Sequence, residues 1–314
     1  MAQYDVIIIG SGPAGLTAAI YSGRALVNTL VVGGRTSGGQ LMLTSDVENF
    51  PGFADVVQGP ILMMEMRKQA ERFGAEIIDD DAEFVDFSVS PFKVMVGNKA
   101  HTAKAVIIAT GSSAKWLGLS SETNLRGKGV SGCATCDGYF FRGKRVIVVG
   151  GGDTAIEEAL FLTKYATEVI VIHRRGELRA SKILQKRALS NNKISFVWNS
   201  VVEEILGENG VEGVKIRDVK TGELSIVACD GVFVAIGHQP NTKIFERQIA
   251  LDDKGYVLSQ GTKTSVDGVF VAGDVHDYRY RQAITAAGEG CKAAMDALAY
   301  LEEQKEVTVS AREN

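Results

Sequence analysis

The stretch from Val6 to Ile20 decides the fold: it reads Val6-Ile7-Ile8-Ile9, then Gly10-Ser11-Gly12-Pro13-Ala14-Gly15, then Leu16-Thr17-Ala18-Ala19-Ile20. The first run is continuously apolar, as in a parallel β-strand buried on both faces, and the last run favours a helix. In the glycine-rich turn, one glycine makes the bend, one lets a phosphate approach the backbone, and one packs the helix against the strand. The stretch therefore predicts the start of a nucleotide-binding unit, with the helix N-terminus facing the phosphates.

The same order returns in the middle of the chain. Arg145-Val146-Ile147-Val148-Val149 is followed by Gly150-Gly151-Gly152-Asp153-Thr154-Ala155 and then by a helix-forming run from Ile156 to Leu160. In both copies the next predicted strand ends at the same distance from the first glycine, at Gly33 and at His173. The repeat predicts two units of one architecture.

Matching strands close the two units. Residues 105–108 precede Ala109-Thr110-Gly111, and residues 231–234 precede Ala235-Ile236-Gly237. A further strand at 268–271 leads to Ala272-Gly273-Asp274, and a long helix is predicted from Arg281 to Leu301, which we expect to rejoin the first unit. We therefore predict an α/β fold of two Rossmann-like nucleotide-binding domains, one at 1–117 and 245–314 and the other inserted at 118–244.

Composition and charge limit the class of protein. The chain has 314 residues, 45% hydrophobic and 23% charged, and 34 basic against 38 acidic side chains leave a formal charge of −4. This balance disfavours a disordered chain or one that coats nucleic acid. No apolar run is long enough to cross a membrane, the N-terminus has no export signal, and the use of 4 cysteines suits a reducing compartment. We expect a cytoplasmic protein that binds neither nucleic acid nor membranes.

The second unit carries basic residues where a carboxylate would hold a free ribose 2′-hydroxyl. Its strand end reads His173-Arg174-Arg175, and Arg179 follows shortly after. Guanidinium groups pair with phosphate through several fixed donors, so the pattern predicts a 2′-phosphate and hence NADPH rather than NADH. A solvated basic turn without a ligand is the alternative. The first unit also lacks the acid, because Gly33-Gly34 occupies its strand end, so ribose binding there must be arranged differently.

A third signal is Cys133-Ala134-Thr135-Cys136, directly followed by Asp137. Two intervening residues let both sulfurs share a helical turn and close a small disulfide. At a helix start, the dipole and nearby amides lower the thiol pKa and favour the reactive thiolate. The alternatives are an inert reduced pair and half of a zinc site, which neither Cys229 and Cys291 nor the histidines complete. We therefore predict a redox-active dithiol and no metal.

Two nucleotide units and a dithiol together indicate electron transfer from a nicotinamide to a disulfide. A hydride carrier and a disulfide need an intermediary such as FAD. The sequence also resembles the low-molecular-weight thioredoxin reductases over nearly its whole length. Besides the two glycine turns, the matching pieces are Gly38-Gly39-Gln40-Leu41, Val47 to Gly52, Cys133 to Gly138, His173-Arg174-Arg175, Gly237 to Thr242, Gly273-Asp274-Val275 and Tyr280 to Ala283.

The resemblance implies FAD in the first unit, with Gly39, Gln40, Asn49, Asp274 and Arg281 to Ala283 around its ribityl and flavin portions, and NADPH in the inserted unit. The candidate cofactor residues in the first unit are Gly10, Ser11, Gly12, Pro13, Ala14, Gly15, Gly39, Gln40, Leu41, Asn49, Ala109, Thr110, Gly111, Gly273, Asp274, Arg281, Gln282 and Ala283. Those in the inserted unit are Gly150, Gly152, Asp153, Thr154, Ala155, His173, Arg174, Arg175, Arg179, Ile236 and Gly237.

The resemblance also implies catalytic roles and a protein partner. Cys136 would face the flavin, Cys133 would attack the disulfide of thioredoxin, and Asp137 would serve as acid and base, since each half-reaction moves a proton to or from sulfur. Rotation of the two domains, hinged near Trp116 and Asn241, would bring the dithiol alternately to the flavin and to the partner. Members of the family are homodimers. Some of them also lack the acid at the first strand end, so that departure puts no function in doubt.

Two other functions stay open on the residues alone. An FAD oxidase that closes disulfides in a small molecule and passes electrons to oxygen would share the fold, but Arg174 and Arg175 weigh against it. A flavin-binding or nucleotide-binding redox sensor would bind FAD and consume no NADPH. The chain carries no appended thioredoxin-like module, which favours a separate, diffusing partner.

Overall fold

The computed structural model describes residues 3–43 and 46–313. The chain divides into two compact units: unit 1 comprises Met1–Ser113 and Gln239–Asn314, and unit 2 comprises Ala114–His238. Unit 2 is therefore inserted within unit 1, and each unit is built on a sheet with parallel strands. The predicted α/β class, with one Rossmann-like domain inserted into another, is confirmed.

The helices and strands follow one another in the order typical of such folds. Before the insertion they are β1 (Tyr4–Ile9), α1 (Pro13–Arg24), β2 (Thr29–Val32), β3 (Asp46–Val47), β4 (Val57–Gln58), α2 (Gly59–Arg72), β5 (Glu76–Ile78), β6 (Ala82–Asp86), β7 (Phe92–Val96), β8 (Lys99–Ile108) and β9 (Ser112–Ala114). The next segment contains α3 (Ser120–Leu125), β10 (Val130–Ser131), α4 (Ala134–Asp137), β11 (Arg145–Val149), α5 (Asp153–Leu162), β12 (Glu168–Ile172), α6 (Lys182–Leu189), β13 (Ile194–Val197), β14 (Ser200–Leu206), β15 (Gly213–Asp218), β16 (Leu224–Ala228), β17 (Gly231–Val234) and β18 (His238–Pro240). The chain ends with β19 (Val269–Val271) and α7 (Ala283–Glu313).

The sheet of unit 1 has the strand order β5-β2-β1-β8 and continues through β7 to β6. The first four strands run parallel, with Ile9 opposite both Val32 and Ile108. On its other side, β8 pairs antiparallel with β7 through its first half and parallel with β19 through its last residues, 106–108. The carboxyl ends of β1, β8 and β19 therefore lie side by side, and the turns that follow them meet at one edge of the sheet.

The unbroken apolar run of β1 arises because both of its faces are buried. Val6 and Ile8 pack with apolar residues of α1, α2 and α7, whereas Ile7 and Ile9 pack on the opposite side with residues of β7 and β8. All four side chains are at most 2% exposed. Burial of each such side chain contributes roughly 1.5–3 kcal/mol, so the two cores anchor the glycine turn that β1 leads into.

Unit 2 repeats this arrangement around β11. Its sheet has the order β10-β17-β11-β12-β13, all parallel, and a separate antiparallel sheet has the order β14-β15-β16. Val146 and Val148 face a core that includes residues of α5, whereas Ile147 and Val149 face a core that includes residues of β14 and β15. Both faces of β11 are thus covered, as its sequence predicts.

The chain passes between the two units at β9 and β18, which pair with each other. Close by, the Asn241 side chain donates to the Thr110 carbonyl oxygen at 2.9 Å, and the Thr110 hydroxyl donates to the Asn241 carbonyl oxygen at 2.8 Å. This reciprocal pair fixes the turn after β8 within unit 1. Of the helices in residues 3–43 and 46–313, none is both long and apolar enough to span a bilayer.

Candidate active site

Cys133 and Cys136 form a disulfide at the start of a short helix in unit 2. Cys133 has extended backbone dihedrals and precedes α4, whereas Cys136 lies within α4 and is exposed. The backbone amides of Cys136 and Asp137 donate to the Cys133 carbonyl oxygen at 3.3 and 3.1 Å, which holds the two sulfurs on one turn. Because α4 is only 4 residues long, the helix dipole expected to favour thiolate is supplied by a single turn.

Asp137 lies one residue beyond the disulfide and is partly buried. Burial raises the pKa of its carboxyl group above the ordinary range, and a hydrogen bond with the Ser131 side chain acts in the opposite direction. The Ser131 hydroxyl also accepts a hydrogen bond from the Cys133 backbone N–H at 3.0 Å. A carboxyl group with a raised pKa beside a disulfide is suited to exchange protons with sulfur.

The first glycine turn leaves an opening over the start of α1. Among the described residues, nothing lies within 4 Å of a Cβ placed on Gly12. The same atom on Gly10 would come within 2.3 Å of the Ala109 carbonyl oxygen, and on Gly15 within 1.9 Å of the Gly10 carbonyl oxygen. The first hydrogen bond of α1 runs from the Leu16 amide to the Gly12 carbonyl oxygen. The amides of Ala14 and Gly15, which precede Leu16, therefore have no partner within the helix. The opening and these free donors fit a pyrophosphate group.

Next to this turn, a buried hydroxyl organises the segment that follows β2. Ser11 Oγ donates to the Gly33 carbonyl oxygen at 2.7 Å and accepts from the Gly38 amide at 2.9 Å. Ser37 lies 3.1 Å from Ser11 Oγ, and Arg67 in turn donates to the Ser37 hydroxyl at 3.2 Å. The strand end without an acid thus carries a serine and arginine network, which local spacing could not reveal.

Residues from distant parts of the sequence meet in unit 1. The Asn49 amide donates to Gln282 Oε1 at 3.2 Å, and the Gln40 side chain donates to the Ser112 carbonyl oxygen. Gln40 and Leu41 belong to a short 3-10 helix, Gly39–Leu43, in which Leu41 packs against the core. The structure therefore brings together Asn49 and Gln282, two of the predicted flavin-site residues.

Asp274 follows the turn after β19 and lies mostly out of solvent. Burial raises the pKa of its carboxyl group to about 7, although the positive charge of Arg281 opposes the shift. Glu289 on α7 accepts from the Gly273 backbone N–H at 2.7 Å and pairs with His276 Nε2 at 2.9 Å. The α7 helix thereby fixes the turn that presents Asp274, while Ala283 forms its first residue.

The second glycine turn repeats the geometry of the first. A Cβ on Gly152 would meet nothing within 4 Å among the described residues, whereas on Gly150 it would lie 2.4 Å from the Ala235 carbonyl oxygen. Asp153, the first residue of α5, accepts from the Ser181 backbone N–H at 2.7 Å, and Ala155 is buried. Thr154 is partly exposed in the first turn of α5. This opening also fits a pyrophosphate at a helix N-terminus.

The strand end after β12 carries the predicted basic residues. Arg174, Arg175 and Arg179 are exposed, whereas His173 is buried and its ring packs against the Gly151 backbone. Burial lowers the pKa of His173, and repulsion by the three arginines adds to this effect. The neutral imidazole therefore shapes the turn while the guanidinium groups supply positive charge.

The remaining predicted residues follow β8 in unit 1 and β17 in unit 2. Gly111 accepts from the Asn241 amide at 3.0 Å, and Gly237 accepts from the Lys115 amide at 2.9 Å. Ile236 is 40% exposed and follows β17. Strand β17 pairs in parallel with β11, the strand that leads into Gly150. Within residues 3–43 and 46–313, no group of three or more histidine, cysteine or acidic side chains could hold a metal ion.

Comparison with known proteins gives the family. Residues 4–290 match the family described as pyridine nucleotide-disulphide oxidoreductase. A thioredoxin reductase of Rickettsia conorii is 54% identical over 302 residues, covering 94% of this chain and 97% of the relative. The chain belongs to the low-molecular-weight thioredoxin reductases. Another reductase of this name, from Streptomyces clavuligerus, is 56% identical and covers 95% of this chain and 94% of its own length.

A solved thioredoxin reductase structure supports the same assignment. The enzyme from Giardia duodenalis superimposes with a TM-score of 0.92 at 42% identity, covering 96% of this chain and 100% of that one. As a thioredoxin reductase, this chain is an oxidoreductase with a dithiol redox centre, and the predicted family is confirmed.

Sequence reasoning missed two residues of this thioredoxin reductase that touch the predicted sites. Ser131 Oγ accepts a hydrogen bond from the Cys133 amide, and Glu289 accepts one from the Gly273 amide. Ser131 stands two residues before the first cysteine, which gives a local signal, since a serine hydroxyl readily accepts from the amide two positions on. Glu289 had no such signal, because it reaches Gly273 only through the docking of α7.

Proposed function

We propose that this chain transfers electrons from NADPH through FAD to the Cys133–Cys136 disulfide and from there to the disulfide of oxidised thioredoxin. The observation that carries the proposal is the disulfide itself: two cysteines on one helical turn, with a partly buried carboxyl group directly after them. FAD belongs to unit 1 and NADPH to unit 2. The names of the relatives support thioredoxin as the substrate.

Unit 1 offers groups suited to FAD at three places. The open space over Gly12 accepts the pyrophosphate, Ser11 and Ser37 lie at the strand end where the ribose belongs, and Asp274 offers a carboxyl group for ribityl hydroxyls. When bound, FAD accepts a hydride from NADPH and passes its electron pair to a disulfide. Glu289 and the Asn49–Gln282 pair hold the surrounding backbone and side chains in place.

Unit 2 selects the nucleotide through charge. The opening at Gly152 accepts a pyrophosphate, and Arg174, Arg175 and Arg179 offer guanidinium groups to a 2′-phosphate. His173 is neutral near pH 7 because its pKa is lowered, so discrimination against NADH falls to the arginines.

The thiol chemistry takes place between the two cysteines and the substrate disulfide. In the reduced enzyme, the Cys133 thiolate attacks one sulfur of thioredoxin, so that a mixed disulfide forms and the other thioredoxin sulfur leaves with the electron pair. Cys136 then attacks the Cys133 sulfur, restores the enzyme disulfide and releases the second thioredoxin thiolate. Asp137 takes the proton from an attacking thiol and returns it to a leaving sulfur.

The setting of the reaction follows from the sequence and the resemblance. Cysteine usage favours a reducing compartment, so we propose the cytoplasm. The resemblance supports a homodimer, and sedimentation at twice the mass of the chain is the expected result. Domain rotation between the half-reactions stays a prediction of the same resemblance.

The test is an anaerobic titration of the purified yellow protein with NADPH and, separately, with NADH, followed at the flavin absorbance. We expect NADPH to bleach the flavin at far lower concentration than NADH, and oxidised thioredoxin to restore the colour. A Cys133→Ser variant should bleach with NADPH and fail to reduce thioredoxin. If neither nucleotide bleaches the wild-type flavin, the oxidase or sensor functions replace this proposal.

A further inference from the structure

The Cys133 sulfur has a hydroxyl neighbour on its own turn. Thr135 Oγ1 lies 3.4 Å from Cys133 Sγ, and the threonine is exposed. Because Sγ is bonded to the Cys136 sulfur, it carries no proton, so the Thr135 hydroxyl is the donor in this contact. The hydroxyl therefore points its proton at the sulfur that attacks the substrate in the proposed reaction.

The backbone of α4 gives Cys133 less support than its sequence position suggests. Cys133 is the N-cap residue of α4, where a side chain often accepts from the amides of the first turn. Within residues 133–137, all of which the structure describes, the Cys133 side chain makes no such capping hydrogen bond, and α4 has only 4 residues. The Thr135 hydroxyl reaches the sulfur where the backbone amides do not.

We propose that Thr135 is a catalytic residue whose hydroxyl donates to the Cys133 thiolate in the reduced enzyme and so favours the attacking form of the sulfur. The inference rests on the proposed function, because it requires Cys133 to be the attacking sulfur. A hydrogen bond to an ionised acceptor is roughly twice as strong as one between neutral groups. The same hydroxyl therefore stabilises the thiolate more than it stabilises either the thiol or the disulfide.

The contact survives reduction because other bonds hold the backbone of Cys133. Its N–H donates to Ser131 Oγ at 3.0 Å, and its carbonyl oxygen accepts from the amides of Cys136 and Asp137 at 3.3 and 3.1 Å. Reduction breaks only the bond between the sulfurs, so Cys133 Sγ stays on a fixed Cβ and moves by rotation about one bond. Thr135 lies on the same turn and remains within reach of the sulfur.

Other titratable groups near the redox pair are unchanged when only Thr135 is replaced. Helix α4 packs against α5 and against the short 3-10 helix Gly138–Phe141. The charged or titratable residues of α4 and these two elements are Cys136, Asp137, Tyr139, Asp153, Glu157 and Glu158. The Cys136 thiol is a weak donor that also lies close to Cys133 after reduction. A difference between Thr135 variants therefore reports the hydroxyl alone.

The experiment measures how fast Cys133 reacts with iodoacetamide as a function of pH. The holoenzyme is reduced with NADPH without oxygen, and tandem mass spectrometry assigns the alkylated cysteine. Thr135→Val removes the hydroxyl and keeps the shape, Thr135→Ala removes it without branching, and Thr135→Ser keeps it. Thr167→Val is the matched control, because Thr167 is an exposed threonine of unit 2 whose hydroxyl donates to the Lys144 carbonyl oxygen at 3.0 Å.

We expect Thr135→Val to move the midpoint of the alkylation profile up by about one pH unit, the usual effect of one hydrogen bond to a charged group. The thiolate fraction below the midpoint then falls about tenfold. A more basic thiolate is also a stronger nucleophile, by about threefold for a Brønsted slope of roughly 0.5. The alkylation rate should therefore fall about threefold at low pH and rise about threefold at the alkaline plateau. Thr135→Ser and Thr167→Val should keep the wild-type profile.

This crossing of the two profiles separates thiolate stabilisation from a structural role, which would change the rate in one direction at every pH. A Thr135→Val profile that coincides with the wild type, or that differs by one factor throughout, overturns the inference. So does a crossing that Thr167→Val reproduces. Should Thr135→Val be poorly folded, Thr135→Ala gives the same comparison. Failure of the proposed function looks different: the wild type does not reduce thioredoxin, or Cys133→Ser still does.

Discussion

Replacing the arginines of the strand end after β12 tests how the nucleotide is selected. Arg174, Arg175 and Arg179 are exposed, so each charge-assisted bond to a 2′-phosphate is screened by water and contributes about 1 kcal/mol. Three such bonds amount to about 3 kcal/mol, or roughly a 100-fold preference. The triple alanine variant should therefore lower the ratio of kcat/KM for NADPH to that for NADH by about 100-fold.

The three arginines should contribute unequally to the preference for NADPH. The Arg179 backbone N–H donates to the Gly151 carbonyl oxygen at 2.7 Å, so that residue is fixed against the glycine turn. We expect Arg179→Ala to have a larger share of the effect than either of its neighbours, since less ordering is needed for it to bind. Values of kcat/KM for NADH should be nearly unchanged, because NADH has no 2′-phosphate.

The assay is steady-state kinetics with each nucleotide at saturating thioredoxin. Arg217→Ala is the matched control, because Arg217 is a half-exposed basic residue of unit 2 that pairs with Glu203 on the neighbouring strand. If the triple variant has the same ratio of kcat/KM for NADPH to that for NADH as Arg217→Ala, the three arginines are solvated and do not bind the 2′-phosphate. That result would refute the reasoning.

Three further changes have expected outcomes. Gly12→Val should fold but purify without yellow colour, whereas Gly152→Val should stay yellow and show a rise of roughly tenfold or more in KM for NADPH. Each new side chain would fill an opening that we propose to bind a pyrophosphate group. Glu122→Ala should lower the free energy of unfolding by about 3 kcal/mol, measured by urea denaturation. It removes a fully buried carboxylate that accepts from the Leu117 and Gly118 amides and pairs with Arg126. Glu122→Gln should cost less. In FAD-free protein, the free energy of unfolding should fall as pH rises from about 4 to about 7, because Asp274, with a pKa raised to about 7, keeps a proton that the unfolded chain has lost. Asp274→Asn should remove this dependence, and an identical pH curve for the variant would contradict the assignment.

Local pattern was enough to predict the fold class, both glycine turns and the redox pair. The apolar runs of β1 and β11 are continuous because both of their faces are covered, and this is visible in the sequence. Gly10 and Gly150 precede helices at equal spacing, and the cysteines share one turn. The chemistry of these features depends on residues a few positions apart within one turn, so tertiary packing was not needed to find them.

Only the tertiary structure decided which partners hold these motifs. Glu289 meets Gly273 because α7 packs on α1, and Asn49 meets Gln282 across most of the chain. Such contacts depend on strand order and helix docking, which bring distant segments to one sheet edge, and no spacing along a single sequence encodes them. The sequence by itself therefore determined the fold class and the disulfide redox chemistry and predicted the cofactor class, and the packing determined which residues hold these motifs in place.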